Sequence, residues 1–108
     1  LNVPILQGPA LENDIELRKS AVKLLLSMGK TTLLNVQKIS EIIYDDKQGF
    51  SLILAPDGEI VKVGNKDFKK RLGMVEKVFA YMQSKGLKGR VIDVRFSKKV
   101  VVRLRNAP

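Results

Sequence analysis

The 108 residues include no cysteine and no histidine. The first absence excludes disulfides and thiolate chemistry and is compatible with any compartment. The second removes the commonest general base and the commonest metal ligand, so no Ser-His or Cys-His nucleophile can be assembled. Aromatic residues are scarce, two Tyr and four Phe, and most fall on core-facing positions, which leaves little to stack on nucleic-acid bases. No apolar run approaches the roughly 18 residues that a transmembrane helix requires. No signal peptide is recognisable, and Leu1 stands where a methionine would, so the expectation is a piece of a longer protein from which an anchoring segment is missing.

Carboxylates are also thinly spread. Asp45-Asp46 lacks the spacing of a calcium loop and reads as a solvated turn. Gly86-Leu87-Lys88-Gly89-Arg90 lacks a Walker pattern and precedes a strand, where a phosphate loop would open a helix. The expectation is therefore no metal, no cofactor, no catalytic residue and no enzyme.

What is present is 44% apolar sequence, enough for one domain with a single modest core. Residues 1–60 hold 6 Lys/Arg and 8 Asp/Glu, whereas residues 61–108 hold 14 and 3, giving nets of −2 and +11. So basic a second half suits a polyanion or anionic headgroups as partner, or is a solvated lysine-rich surface.

Leu1 to Pro9, with two prolines and a glycine, cannot be helix and reads as an extended lead-in. Asn13 with Glu16 has capping-box spacing, and Ile15, Val22, Leu25 and Leu26 form an apolar stripe widened by Leu17, Ala21 and Leu24. A first helix over 13–28 follows, closed by Gly29 and followed by a Thr31-Thr32 linker. Val36 to Tyr44 reads as a strand whose broken alternation predicts a bulge, and Asp45 to Gly49 as a turn. Phe50, Leu52 and Leu54 alternate as the next strand. Ala55-Pro56-Asp57-Gly58 suits a type I turn, and Glu59 to Val63 returns. A second helix is capped by Asn65 or Asp67, carries Phe68, Leu72, Val75, Phe79 and Met82 on one stripe with Arg71 off it, and stops at Gly86. Gly73 inside it suggests a close backbone approach.

The final stretch, Gly89 to Arg105, reads as a β-hairpin around Ser97-Lys98-Lys99. If Phe96 faces Val100, then Val94 faces Val102 and Ile92 faces Leu104, making one side apolar; on the other, Asp93 faces Arg103 as an ion pair. The element order is α-β-β-β-α-β-β, an α+β fold with an antiparallel sheet and two amphipathic helices. No strand follows Val100-Val101-Val102. Its edge is either open to an added strand or covered within the sheet.

Pro4-Ile5-Leu6-Gln7-Gly8-Pro9, Asp57 to Gly64, Lys70-Arg71-Leu72 and Ile92-Asp93-Val94-Arg95-Phe96 before a valine-rich strand together resemble the extracytoplasmic β domain of the FtsQ/DivIB cell-division family. The resemblance implies that residues 1–9 join a missing POTRA domain and residues 10–108 form the β domain. It implies a membrane-anchored protein of the division septum whose domain lies on the extracytoplasmic (periplasmic) side of the inner membrane. It further implies a non-enzymatic scaffold that binds FtsB and FtsL, with an FtsB segment added as a strand at the last β-strand. The partner-binding positions it assigns are Arg95, Phe96, Lys98, Val100, Val101, Val102, Arg103 and Leu104. Phe96 stands at a commonly tyrosine position, and Leu104 near a tryptophan of some members. By its chemistry, Arg95 could receive a partner carboxylate. The alternative function is a basic surface module that binds nucleic acid or headgroups through Lys98, Lys99, Arg103 and Arg105.

Overall fold

The computed structural model describes residues 5–7, 14–28 and 39–105. The elements are β1 (Ile5–Gln7), α1 (Ile15–Met28), β2 (Ile39–Asp45), β3 (Gly49–Leu54), β4 (Glu59–Gly64), α2 (Phe68–Ser84), β5 (Gly89–Asp93) and β6 (Val101–Leu104). The α+β class and the expected order stand, with one further short strand in the lead-in. The sheet is mixed, not antiparallel. Its spatial order is β1-β2-β3-β4-β5-β6, and β1 with β2 and β4 with β5 pair in parallel. The reason is topological: α1 and α2 intervene at those two steps, and a helical crossover returns the chain to the end from which it left.

One apolar row crosses the sheet through registered pairs: Ile42 opposite Leu52, Leu52 opposite Val61, Val61 beside Ile92, and Ile92 opposite Val102. Ile42, Leu52, Val61 and Ile92 are fully buried, in one core cluster with Ala21 and Leu24 of α1 and Leu72, Val75 and Met82 of α2. The expected bulge in β2 is present as a register shift between Ile39 and Glu41. The turn after β2 is tied by Asp45 Oδ1, which accepts from Lys47 N at 2.7 Å and Gln48 N at 3.0 Å. Gly49 ends it at φ +79, where a Cβ would meet the Gly64 carbonyl carbon at 2.6 Å, so only glycine fits.

Several local expectations are corrected. Asp14 caps α1: its Oδ1 accepts from Glu16 N (2.9 Å) and Leu17 N (3.2 Å). Asn13, Gly29, Thr31-Thr32 and the start of the expected strand at Val36 lie outside the described residues. The α1 stripe is rotated from expectation: Ala21 and Leu24 are buried, whereas Ile15, Val22 and Leu26 are exposed. The β3–β4 turn closes by Gly58 N donating to Leu54 O at 2.8 Å, so it is not the expected type I turn from Ala55; the Ala55–Pro56 bond is cis. Asp67 occupies the N-cap of α2 without a side-chain capping bond.

The end of α2 is as read. Gly86 at φ +67 donates to Gln83 O, and Leu87 N donates to Met82 O at 2.8 Å, the paired bonds of a Schellman motif. No close contact explains Gly73, because a Cβ there would meet nothing within 4 Å. Gly73→Ala is therefore expected to stabilise the fold by about 0.5–1 kcal/mol in urea unfolding. A loss of stability would contradict the open geometry.

Candidate functional site

β6 stands at the end of the sheet and, among the described residues, has a strand neighbour, β5, on one side only. The main chain fixes which of its groups are free. Arg105 N donates to Lys88 O at 2.8 Å, and Arg103 and Val101 stand opposite Val91 and Asp93. Odd-numbered residues therefore turn their N–H and C=O toward β5, and alternation turns those of Val102 and Leu104 to the open edge. On the far side of β5 the same parity holds, with Val94 N donating to Lys62 O of β4 at 3.0 Å.

The hairpin register differs from the one expected by two residues: Ile92 faces Val102, and Asp93 faces Val101. A slip of two preserves which side chains share a face, so the apolar side of the ribbon survives. The tight three-residue loop does not form. Residues 94–100 make a longer connection, because tertiary contacts claim its first half. Val94 N is taken by Lys62, and the Arg71 Nη1 group donates to the Phe96 carbonyl. Arg71 is 5% exposed, although helical periodicity placed it on the polar face. The Lys70-Arg71-Leu72 motif was the sequence signal that marked it.

Asp93 is bonded to Arg95, two residues on in the connection, not to Arg103. Arg95 Nε donates to Oδ1 at 2.9 Å and Nη2 to Oδ2 at 2.7 Å, and Arg95 N donates to Oδ1 at 3.1 Å. Burial pushes the Asp93 carboxyl up, but the Arg95 side-chain and backbone hydrogen bonds, with the Arg95 and Lys62 charges, bring it below its ordinary value. The Asp93 hydrogen bond holds the Arg95 guanidinium above its own. A carboxylate lowered on folding stabilises above its unfolded value, about 3.9, and loses that contribution as pH falls through the folded one. The stability difference between the chain and Asp93→Asn is thus expected to be level from about pH 5 upward and to vanish in stronger acid. A difference that grows on acidification would contradict the pairing.

Two clefts adjoin the 94–100 connection. An apolar groove of about 430 Å³ runs between α2 and β6, lined by Lys77, Val78, Tyr81, Met82, Leu87, Val100, Val102 and Leu104. Tyr81 and Leu104 are exposed in it, while Val100 and Val102 pack against the core. A second cleft, about 530 Å³, is lined by Lys47, Gln48, Val63, Gly64, Asn65, Lys66, Arg71, Arg95 and Phe96, four cations without a carboxylate among them. Phe96 is 38% exposed, with Lys99 Nζ 4.9 Å and Arg95 Cζ 5.7 Å from its ring centroid, both within cation–π range.

Of the eight expected site residues, Val100, Val102 and Leu104 line the groove beside β6, whereas Arg95 and Phe96 line the basic cleft. Val101 and Leu104 are exposed on β6, with Arg103 outside, and Lys98 stands exposed on the connection. Sequence reasoning missed the α2 wall of the groove, Val78 and Tyr81, because both stand off the core stripe. It missed Lys47 and Lys66, whose turns approach only in the folded sheet. Among the described residues, no group of three or more acidic side chains could hold a metal, and no helix is long and apolar enough to cross a membrane.

The model of the family described as cell division protein FtsQ/DivIB, C-terminal, matches residues 1–95. The chain belongs to the FtsQ/DivIB family. Among similar proteins are cell division protein FtsQ of Geotalea daltonii, 26% identical over 85 residues, covering 79% of this chain and 31% of that protein. FtsQ of Syntrophotalea carbinolica is 25% identical over 84 residues, covering 78% of this chain and 30% of its own length. The chain spans about a third of the length of these FtsQ relatives. The family match stops at Arg95, before β6, so the reading of the open edge rests on its geometry.

Proposed function

We propose that this domain is a non-enzymatic scaffold of the division apparatus that accepts an extended segment of a partner as a further strand beside β6. The observation that carries the reading is the open edge: the outward N–H and C=O groups of Val102 and Leu104 lie next to an apolar groove. Main-chain bonds would supply affinity, and alternate partner side chains entering the groove would supply specificity. Arg95, Phe96, Lys98, Val100, Val101, Val102, Arg103 and Leu104 are the contact positions. With two guanidinium nitrogens committed to Asp93, Arg95 would meet a partner carboxylate through the cleft it shares with Lys47, Lys66 and Arg71.

Family membership supports FtsB and FtsL as the partners. It equally supports a membrane-anchored full-length protein whose domain faces the extracytoplasmic side at the septum. The test is an isotope-edited NMR titration with a peptide from the C-terminal extracytoplasmic part of the cognate FtsB, at low and high salt. Shifts on residues 96–105 that survive salt are expected. Salt-sensitive shifts with an oligonucleotide, and none with the peptide, would instead select the basic-module reading.

A further inference from the structure

Helix α1 is apolar on two sides. Ala21 and Leu24 are buried in the core, with Leu17 packed against it. Ile15, Val22 and Leu26 are 65, 51 and 73% exposed, yet at 3.6 residues per turn they lie within about 40° of one another around the axis. A helix apolar on both sides is ordinarily covered on both. Among the described residues, this chain covers only one.

Charge and shape identify what suits the other. Arg18, Lys19 and Lys23 are exposed along α1, and Lys69 and Lys70 are exposed at the start of α2. Between them lies a shallow hollow of about 640 Å³ lined by Lys23, Leu26, Asp67, Phe68, Lys69 and Lys70. Among the described residues the acids here are Asp14, which caps α1, Glu16, ion-paired to Lys19 at 3.5 Å, and Asp67, which lines the hollow. A cleft that selects a shaped partner recesses its apolar groups, but these three aliphatic side chains project. Projecting aliphatics edged by Lys and Arg fit the boundary of an anionic bilayer, with phosphates outside and acyl chains within.

We propose that α1 and the start of α2 form a bilayer-docking face. Ile15, Val22 and Leu26 enter the headgroup boundary, and Lys19, Lys69 and Lys70 lie among lipid phosphates. The hollow shares no residue with the groove beside β6 or with the basic cleft, so docking leaves both free. This face is separate from the hairpin tip that a purely basic module would use.

The test is sedimentation of the 108-residue chain with vesicles of phosphatidylcholine plus phosphatidylglycerol, and of phosphatidylcholine alone, with amide line broadening from a spin-labelled lipid. Binding to the anionic vesicles is expected, with broadening centred on residues 15–26. The double variant V22S/L26S, altered only at exposed positions, is expected to bind about tenfold more weakly. K69E/K70E is expected to lose about fivefold or more per cation, and K98E/K99E to bind unchanged. Absence of binding to anionic vesicles would overturn the proposal. So would binding that V22S/L26S leaves intact and K98E/K99E abolishes.

Discussion

Val102→Pro is expected to abolish strand addition while leaving the domain folded. The Val102 N–H points to the open edge, so proline removes no bond to β5. In the complex, the missing donor would orphan a buried carbonyl of the added strand, costing about 1–3 kcal/mol, and the ring would obstruct the approach. Affinity should fall at least ten- to a hundredfold by titration calorimetry. Arg103→Pro should behave differently, because the Arg103 N–H faces β5; that variant loses a ladder bond and with it stability. Equal binding by Val102→Pro and the parent chain would remove the edge from the mechanism.

Phe50→Ala is the substitution expected to cost most stability. Phe50 is 1% exposed and meets Tyr44 and Phe68 edge to face, with ring centroids 5.1 and 5.8 Å apart. It thereby joins β2, β3 and the first turn of α2. Truncation removes both contacts and leaves a cavity, at about 3–5 kcal/mol. Domains of this size are stable by only about 5–15 kcal/mol, so the urea midpoint should fall steeply. A cost below about 1 kcal/mol would show that the trio does not hold the sheet to the helix.

Phe50 and Gly86 mark how far the sequence could be read. Phe50 announced itself by the alternation Phe50-Leu52-Leu54, and Gly86 announced the end of α2, because period-two burial and a left-handed glycine are local properties. The face of the final ribbon was legible for the same reason, since parity survives a two-residue slip. The register was not, because it depends on Arg71 reaching across to the Phe96 carbonyl and on Lys62 holding Val94. Nor was the rotation of α1. With apolar residues at 17, 21 and 24 and also at 15, 22 and 26, periodicity offers two stripes and cannot choose between them. Parallel pairing of β4 with β5 escaped a reading built on hairpins, although the intervening helix was seen.

The sheet edge was legible in outline. A valine-rich last strand pointed to an edge, open or covered, and among the described residues no strand pairs with its outer side. The two clefts were not legible, because each is assembled from elements distant in sequence, Tyr81 against Leu104 and Lys47 against Arg95.

The most direct measurement of the central claim is amide hydrogen exchange of β6 with and without the FtsB-type peptide. If a strand is added there, the Val102 and Leu104 amides should exchange rapidly in the free domain and become protected in the complex. Those of Val101 and Arg103, already bonded to β5, should change little. Uniform protection along β6, or none, would contradict strand addition at this edge.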